Sequence, residues 1–304
     1  MTKEKIIKIG TRSSPLAMWQ AELVAQKLQN LGHKTQIIPI VSHGDKNLTL
    51  PIYKLGIVGV FTKDLDIALL NNQVDIAVHS LKDIPTTLPE NIHIAAVLER
   101  DFPEDVLVRN PKSTHKNFDH LHIATGSLRR QSYWKNTFKN CTFSDIRGNI
   151  QTRLQKLESE NFDGVIFSLA GLKRMEMNIQ YEILDFITPA PAQGVVAVTS
   201  LIDNDKISTI LNQIDHKETE RITQIEREFL QVLEGGCSAP IGAHVSKIKN
   251  DFWFKSGIVN LEGTVKIEIE EKINLNEKYL GKRFAEKLKS LGADKILNDI
   301  KNNI

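Results

Sequence analysis

Basic side chains are concentrated in one stretch of this 304-residue sequence, between residues 125 and 153. Arg129 and Arg130 fall in the first turn of a predicted helix that Ser127 would cap, where a cation opposes the helix dipole. An anionic ligand would reverse that interaction, because backbone amides at a helix start and guanidinium groups both favour carboxylate or phosphate. The pattern therefore predicts an anion site, with a solvated basic face as the alternative. The stretch contains a single acid, Asp145, and the cations Arg129, Arg130, Lys135, Lys139, Arg147 and Arg153.

Two further helix starts repeat parts of this pattern. Arg147 is followed by a glycine and the potential cap Asn149, and Arg12 precedes the hydroxyls of Ser13 and Ser14. Ser-Pro caps are common, so the start after Arg12 is weak evidence when taken alone. The start after Arg147 is close in sequence to the one at Ser127, so these two favour a shared anion site.

The segment H-S-L-K-D-I-P, residues 79–85, follows a predicted strand. In open α/β sheets, ligands bind at the carboxyl ends of the strands. Asp83 could there stabilise a developing cation or transfer a proton, and Lys82 could pair with a carboxylate. A purely structural Lys–Asp turn is the alternative interpretation.

Cys237 lies in the segment L-E-G-G-C-S-A-P, residues 233–240. Paired glycines after a helix predict a sharp turn, so the thiol is expected on a loop, where covalent use is plausible. The alternative is an inert apolar side chain, as for most lone cysteines. The sequence has no C-x-x-C, no His cluster with ligand spacing and no Gly-rich nucleotide loop, so no metal site is expected.

These residues must be positioned by elements that alternate between strand and helix, which predicts mostly parallel sheets covered by helices. The first α/β part has predicted strands at Lys5–Ile9, Gln36–Val41, Asp75–His79 and His93–Leu98, with helices after Ser14 and over Thr62–Asn72. The second has predicted strands at Asp105–Arg109, His122–Thr125 and Asp163–Ser168, with helices over Ser127–Phe138 and Asn149–Glu160. The two prolines of Thr188–Gln193 predict a hinge.

From Glu218 the pattern changes to that of a small α+β domain. An amphipathic helix marked by Ile222, Phe229 and Val232 is expected to end near Gly235. Antiparallel strands and a closing helix are then predicted at Ile241–Lys247, Phe252–Val259, Thr264–Ile269 and Leu275–Leu291.

The composition is that of a globular protein of two or three domains, with 41% hydrophobic and 25% charged residues. A net charge of +2 argues against a diffuse nucleic-acid binder. No apolar run approaches the ~20 residues of a membrane span, and the first residues lack the apolar core of a signal peptide. With two cysteines expected to be reduced, the sequence predicts a cytoplasmic protein that binds neither membrane nor nucleic acid.

Several segments together resemble the porphobilinogen deaminase (hydroxymethylbilane synthase) family. They occur in the family's order and spacing between Ile9 and Gly242, so chance is a poor explanation for the whole series. The residues after Gly242 carry little of the family signature. The segments are I-G-T-R-S-S-P-L-A, H-S-L-K-D-I-P, S-L-R-R-Q, R-G-N-I-Q-T-R-L, A-G-L-K-R and L-E-G-G-C-S-A-P-I-G.

The resemblance implies an α/β fold of two periplasmic-binding-protein-like α/β domains plus a small C-terminal α+β domain. The expected limits are residues 1–100 and 198–216, then 101–197, then 217–304. It also implies a monomeric transferase that joins four porphobilinogen molecules head to tail with loss of ammonia, giving hydroxymethylbilane. Growth would start on a dipyrromethane cofactor that is held through a thioether by Cys237.

The same resemblance implies roles for the clustered residues. Asp83 would face pyrrole N–H groups, stabilise the azafulvene-type cation left by ammonia loss and assist proton transfers. The pyrroles carry acetate and propionate groups, which suit the permanently charged fork of arginine. The residues expected to bind substrate and cofactor are Arg12, Ser14, Lys82, Ser127, Arg129, Arg130, Arg147, Arg153, Arg174 and Gln193.

Three segments depart from the family's pattern. Val58 stands where the family usually has a lysine, and Ala124–Ser127 contains one hydroxyl fewer than the usual G-T-S-S. Residues 191–199 read P-A-Q-G-V-V-A-V-T in place of P-G-Q-G-A-L-G-I-E. These changes bear on ligand contacts and hinge freedom, and they leave Asp83, the arginines and Cys237 in place.

Two rival functions stay open at this point. A non-catalytic binding module could use the same fold to clamp small anions, and the ligand-sensing half of a transcription regulator could share it. The regulator would need a helix-turn-helix, whereas this sequence begins with a predicted strand. A covalent adduct on Cys237 would favour the enzyme over both.

Overall fold

The computed structural model describes residues 6–41, 62–115, 117–233 and 239–303. Their α-helices are α1 Pro15–Asn30, α2 Lys63–Leu70, α3 Leu128–Thr137, α4 Ile150–Ser159, α5 Leu169–Arg174, α6 Asp205–Leu211, α7 Lys217–Val232, α8 Leu280–Leu288 and α9 Asp294–Asn303. Their strands are β1 Ile7–Arg12, β2 Thr35–Ile40, β3 Ile76–Ser80, β4 Ile92–Val97, β5 Asp105–Arg109, β6 His122–Ala124, β7 Thr142–Ser144, β8 Gly164–Ser168, β9 Glu182–Ile183, β10 Val196–Leu201, β11 Ile241–Ile248, β12 Asp251–Val259 and β13 Lys266–Ile273.

The chain divides into two compact units. Of the described residues, the first unit holds 6–41, 62–101 and 194–220, and the second holds the rest. The first unit contains a five-stranded sheet in the order β2-β1-β3-β10-β4, in which β1 is parallel to β2 and β3. The predicted helix start at Ser14 is confirmed: its side chain caps α1, and Pro15 supplies a preset φ at the first helical position.

Strand β10 runs antiparallel to both of its neighbours, β3 and β4. The first sheet is therefore mixed. The sequence did not predict the reversed strand, because strand direction leaves no trace in hydrophobic periodicity. The chain returns to the first unit at Gly194. The reason is that β10 begins at Val196, which pairs with Ser80.

The second unit contains a five-stranded sheet in the order β7-β6-β8-β5-β9. Strand β6 is parallel to β7 and β8, whereas β5 is antiparallel to β8 and β9. One face packs Leu107, Tyr133 and Trp134 against Val259 of β12, so the third sheet lies against α3 within this unit.

The third sheet, β11-β12-β13, is an antiparallel meander with a core of its own. Phe254 of β12 contacts Phe229 of α7 edge to face and Phe284 of α8 at a tilt, with ring centroids 5.5 and 4.8 Å apart. The closing helix begins at Leu280, five residues later than expected, and α9 was not predicted.

The fold class is confirmed: two α/β sheets are followed by a small α+β part. The limits of three separate domains stay a prediction, because the second and third sheets share one compact unit. In the part of the chain with described structure, no helix is long and apolar enough to cross a membrane.

Candidate functional site

One pocket of the first unit brings together Arg12, Ser14 and Asp83. Arg12 ends β1, and Asp83 closes a 3₁₀ turn, Leu81–Asp83, that directly follows β3. Because β1 and β3 are parallel neighbours, their carboxyl ends meet at one edge of the sheet. Lys82, half-buried, lies in the same turn. The geometry thus brings a carboxylate, a guanidinium and a hydroxyl to one edge of the sheet, and their roles stay predictions.

Two polar side chains that line this pocket, Gln20 and His79, were not assigned a role from the sequence. Gln20 is 2% exposed on the buried face of α1, and its amide donates to the Ser80 hydroxyl at 2.8 Å. Nε2 of His79 lies 3.2 Å from the Thr199 hydroxyl on β10. The sequence signal for Gln20 was a polar residue on an otherwise apolar helix face. The partner of His79 could not be predicted, because Thr199 lies on the reversed strand β10.

The pKa of His79 gives the pocket a measurable pH dependence. Burial, assisted by the charge of Arg12, lowers this pKa from 6.5 to about 4, so the folded protein keeps the imidazole neutral. Between these values the unfolded chain binds more protons, so unfolding free energy falls as pH falls through that window. We expect this group to remove about 2 kcal/mol between pH 7 and pH 5, measured by urea denaturation.

The effect is isolated by comparing the unsubstituted protein with His79→Gln at both pH values. The comparison is needed because burial raises the pKa of Asp66 to about 6, and a carboxyl shifted upward stabilises the fold as pH falls. The variant should lose less stability on acidification by about 2 kcal/mol. Parallel pH profiles for the two proteins would rule out a neutral, buried His79.

The predicted basic cluster lies at one edge of the second sheet. The parallel strands β6, β7 and β8 end there, and each is followed by arginines of the candidate site. The Ser127 side chain caps α3 by accepting from the Arg130 amide at 3.4 Å, and Asn149 caps α4 by accepting from the Thr152 amide at 2.8 Å. Both predicted helix starts are confirmed.

Arg129 and Arg130 converge on Asp105, a fully buried carboxylate at the start of β5. Nη1 of Arg129 lies 2.7 Å from Oδ2 of Asp105, and Nη2 of Arg130 lies 2.7 Å from Oδ1. Arg130 also donates through Nε to the same Oδ1 at 3.0 Å and through Nη1 to the Ile166 carbonyl. Much of the donor capacity of Arg130 is therefore used inside the protein.

The trio of Arg129, Arg130 and Asp105 carries one net positive charge in a buried place. Both guanidinium side chains are less than 10% exposed. Burial lowers the pKa of Arg130, and the Asp105 charge opposes that shift. Since an uncompensated buried charge is unfavourable, an anion bound beside the trio would be stabilised.

Arg147, Arg153 and Arg174 complete the basic edge. Arg147 and Arg174 are buried, and Nε of Arg153 donates to the Gly148 carbonyl at 2.9 Å. Gly148 has a φ of +116°, and a Cβ there would approach Thr152 Cγ2 to 2.7 Å. The glycine that follows Arg147 is thus required by both the backbone conformation and the packing.

Gln193 is anchored rather than free. Its amide donates to the Pro103 carbonyl at 2.6 Å and to Oδ1 of Asp105 at 3.1 Å. The Ala192 amide donates to Glu226, and the Thr188 carbonyl accepts from Arg129. The segment predicted as a hinge is therefore fixed at several points to the second unit, and the chain passes to the first unit at Gly194.

Asp105 was missed as a site residue because the sequence presents it only as the first residue of an apolar strand. The sequence signal that could have identified it was an acidic residue directly before the apolar residues of a strand. Cys237 and Val58 lie outside the described residues.

Comparisons with known proteins agree with the motifs. The family model described as "Porphobilinogen deaminase, dipyromethane cofactor binding domain" matches residues 7–209, and "Porphobilinogen deaminase, C-terminal domain" matches residues 220–290. A probable porphobilinogen deaminase of Methanocaldococcus jannaschii is 41% identical over 296 residues, 94% of this chain and 100% of that protein. The porphobilinogen deaminase of Desulforamulus reducens is 39% identical over 306 residues, 97% of this chain and 98% of that protein.

Likeness to solved structures is remote. The periplasmic VFT2 domain of BvgS from Bordetella pertussis covers 70% of this chain and 88% of its own, at 12% identity and a TM-score of 0.44. That similarity is too low to carry an argument about this chain.

Proposed function

The chain belongs to the porphobilinogen deaminase family, and we propose that it joins four porphobilinogen molecules head to tail to give hydroxymethylbilane. The observation that carries the proposal is the pocket in which Arg12, Ser14 and Asp83 lie together. It offers a carboxylate for a cationic reaction centre beside donors for the substrate's own carboxylates.

Asp83 is assigned to the chemical step. When the C–N bond of the porphobilinogen aminomethyl group breaks and its nitrogen leaves as ammonia, the remaining methylene-pyrrole is a cation. A pyrrole α-carbon of the growing chain then forms the new carbon–carbon bond and loses its proton. The Asp83 carboxylate accepts a hydrogen bond from the pyrrole N–H, offsets the positive charge and assists transfer of that proton.

The arginines of the second unit are assigned to the carboxylates of substrate, cofactor and growing product. A dipyrromethane group, with its acetates and propionates, fits the net positive charge that Arg129, Arg130 and Asp105 carry together. The same carboxylate-binding role is assigned to the other candidate residues of the second unit, Ser127, Arg147, Arg153, Arg174 and Gln193. In the first unit it is assigned to Lys82. When bound, dipyrromethane supplies the pyrrole carbon on which the first substrate unit is joined.

Cys237 is assigned to the thioether that holds this cofactor. The support is the L-E-G-G-C-S-A-P-I-G motif, since residue 237 lies outside the described residues. Monomeric state and cytoplasmic location are further parts of the proposal, to be tested by light scattering and cell fractionation.

The function is tested by incubating the purified protein with porphobilinogen and following substrate, ammonia and bilane together. We expect one ammonia for each porphobilinogen consumed and one hydroxymethylbilane for every four. A folded protein that binds porphobilinogen without releasing ammonia would instead identify a binding module.

A further inference from the structure

Thr188 joins the arginine cluster of the second sheet to the third sheet. The residue is 2% exposed. Its carbonyl oxygen accepts a hydrogen bond from Nη1 of Arg129 at 2.7 Å. Its hydroxyl donates to Oε2 of Glu268, on β13, at 3.1 Å. One side chain and one carbonyl of the same residue thus connect Glu268 to Arg129.

The backbone around Thr188 is tightly packed against β11. A Cβ added at Gly242 would approach both Cβ and the carbonyl oxygen of Thr188 to 2.7 Å. The Ala243 amide also donates to the Pro189 carbonyl at 3.0 Å. The third sheet therefore restricts the position of residue 188, including the carbonyl oxygen that accepts from Arg129.

Glu268 is held by neighbouring charges of its own sheet. Nζ of Lys266 lies 2.8 Å from Oε2, and Nζ of Lys255 lies 3.5 Å from Oε1. The carboxylate side chain is 25% exposed. A charged acceptor with a restricted orientation makes a stronger hydrogen bond to the Thr188 hydroxyl than a neutral, mobile one would.

We propose that Glu268 and Thr188 are positioning residues for Arg129. The pair holds the residue 188 carbonyl against the guanidinium group, and so fixes Arg129 where it binds substrate carboxylates. The substrate part of this inference rests on the proposed function. Arg130 is the internal reference, because its hydrogen bonds go to Asp105 and Ile166 and do not involve Thr188.

The first test is kinetic. In the holoenzyme, Thr188→Val and Glu268→Ala should each raise KM for porphobilinogen about 5-fold, the equivalent of one ordinary hydrogen bond. The value of kcat should stay within about twofold, because binding of a carboxylate remote from the reacting carbon is uniform between ground and transition states. Glu268→Gln keeps a carbonyl acceptor for Thr188, so its KM should lie close to that of the unsubstituted protein.

Glu270→Ala is the matched control for Glu268→Ala. Glu270 lies two residues further along β13, its side chain is 52% exposed, and its charge lies 3.8 Å from the same Lys255. Removing that charge should leave KM unchanged. An equal rise of KM in this control and in Glu268→Ala would overturn the proposal, because the effect would then come from surface charge alone.

The second test does not depend on activity. The ¹⁵Nε–H signals of Arg129 and Arg130 can be assigned by their loss in Arg129→Lys and Arg130→Lys. Thr188→Val should shift or broaden the Arg129 signal and leave that of Arg130 in place. An unchanged Arg129 signal would overturn the proposal whatever the kinetics.

The two readouts separate this inference from the proposed function. Absence of porphobilinogen consumption by the unsubstituted holoenzyme would overturn the proposed function, and the Arg129 signal would still report whether Thr188 positions the guanidinium. A shifted signal with unchanged KM would overturn the inference, since positioning would then have no consequence for binding.

Discussion

Replacing Asp83 by asparagine should lower the kcat for porphobilinogen by about 100- to 1,000-fold, the range seen when one preorganised electrostatic stabiliser is removed. The amide keeps the shape of the carboxylate but not its charge, so it cannot offset a cation or take up a proton. The side chain is half-buried in the pocket with Arg12 and Ser14, so the substitution disturbs no fully buried core. Steady-state kinetics measure the effect, and circular dichroism and urea denaturation check the fold.

The control for Asp83 is Asp203→Asn, which makes the same chemical change on an exposed turn of the same unit. Its kcat should match that of the unsubstituted protein within about twofold, as expected for a surface substitution. If Asp83→Asn also retained near-normal kcat, Asp83 would have no part in the chemical step.

Replacing Cys237 by alanine should abolish both a covalent adduct and turnover. The intact mass of the unsubstituted protein should exceed that of its sequence by one dipyrromethane group, and the variant should have the sequence mass alone. Turnover should fall to background, because a chain that is not tethered dissociates between additions. Electrospray mass spectrometry and the bilane assay give the two readouts.

Cys141→Ala is the matched control, since these are the two cysteines of the sequence. The Cys141 thiol lies in the second unit, where it accepts from Trp134 Nε1 at 3.2 Å and donates to the Phe118 carbonyl at 2.8 Å. This variant should keep the adduct. An unmodified mass in unsubstituted protein that nevertheless makes bilane would refute the tether.

Local features of the fold were predictable because they depend on neighbouring residues. The caps at Ser14, Ser127 and Asn149 follow from side chains that can accept from amides three residues later, and β5 was predicted with its observed limits. The reversed directions of β5 and β10 depend on partners distant in sequence, so periodicity could not reveal them. The helix α9 follows a break at Gly292, with φ +107°, which a local pattern does not bridge.

The candidate site was predictable to the same extent. The sequence indicated Asp83 because ligands bind where the strands of an open sheet end, and it indicated Arg12 and Ser14 mainly through the family resemblance. It did not indicate that Arg129 and Arg130 would share a buried carboxylate, since Asp105 lies 24 residues before Arg129 in the chain. Such pairing is decided by tertiary packing. The roles of all these residues stay predictions that the variants above would test.

The position of β10 also has a consequence for synthesis of the chain. This strand lies between β3 and β4, yet about a hundred residues separate it from β4 in the sequence. During translation β4 leaves the ribosome long before β10, the strand with which it pairs. The backbone N–H and C=O groups on that edge of β4 stay unpaired while the whole second sheet is synthesised. Contacts so distant in sequence slow folding, because a long loop must close before they form. The unit whose synthesis begins first is therefore expected to be completed after the second sheet. Until then the edge of β4 that pairs with β10 is open, so β4 needs protection from aggregation in the nascent chain.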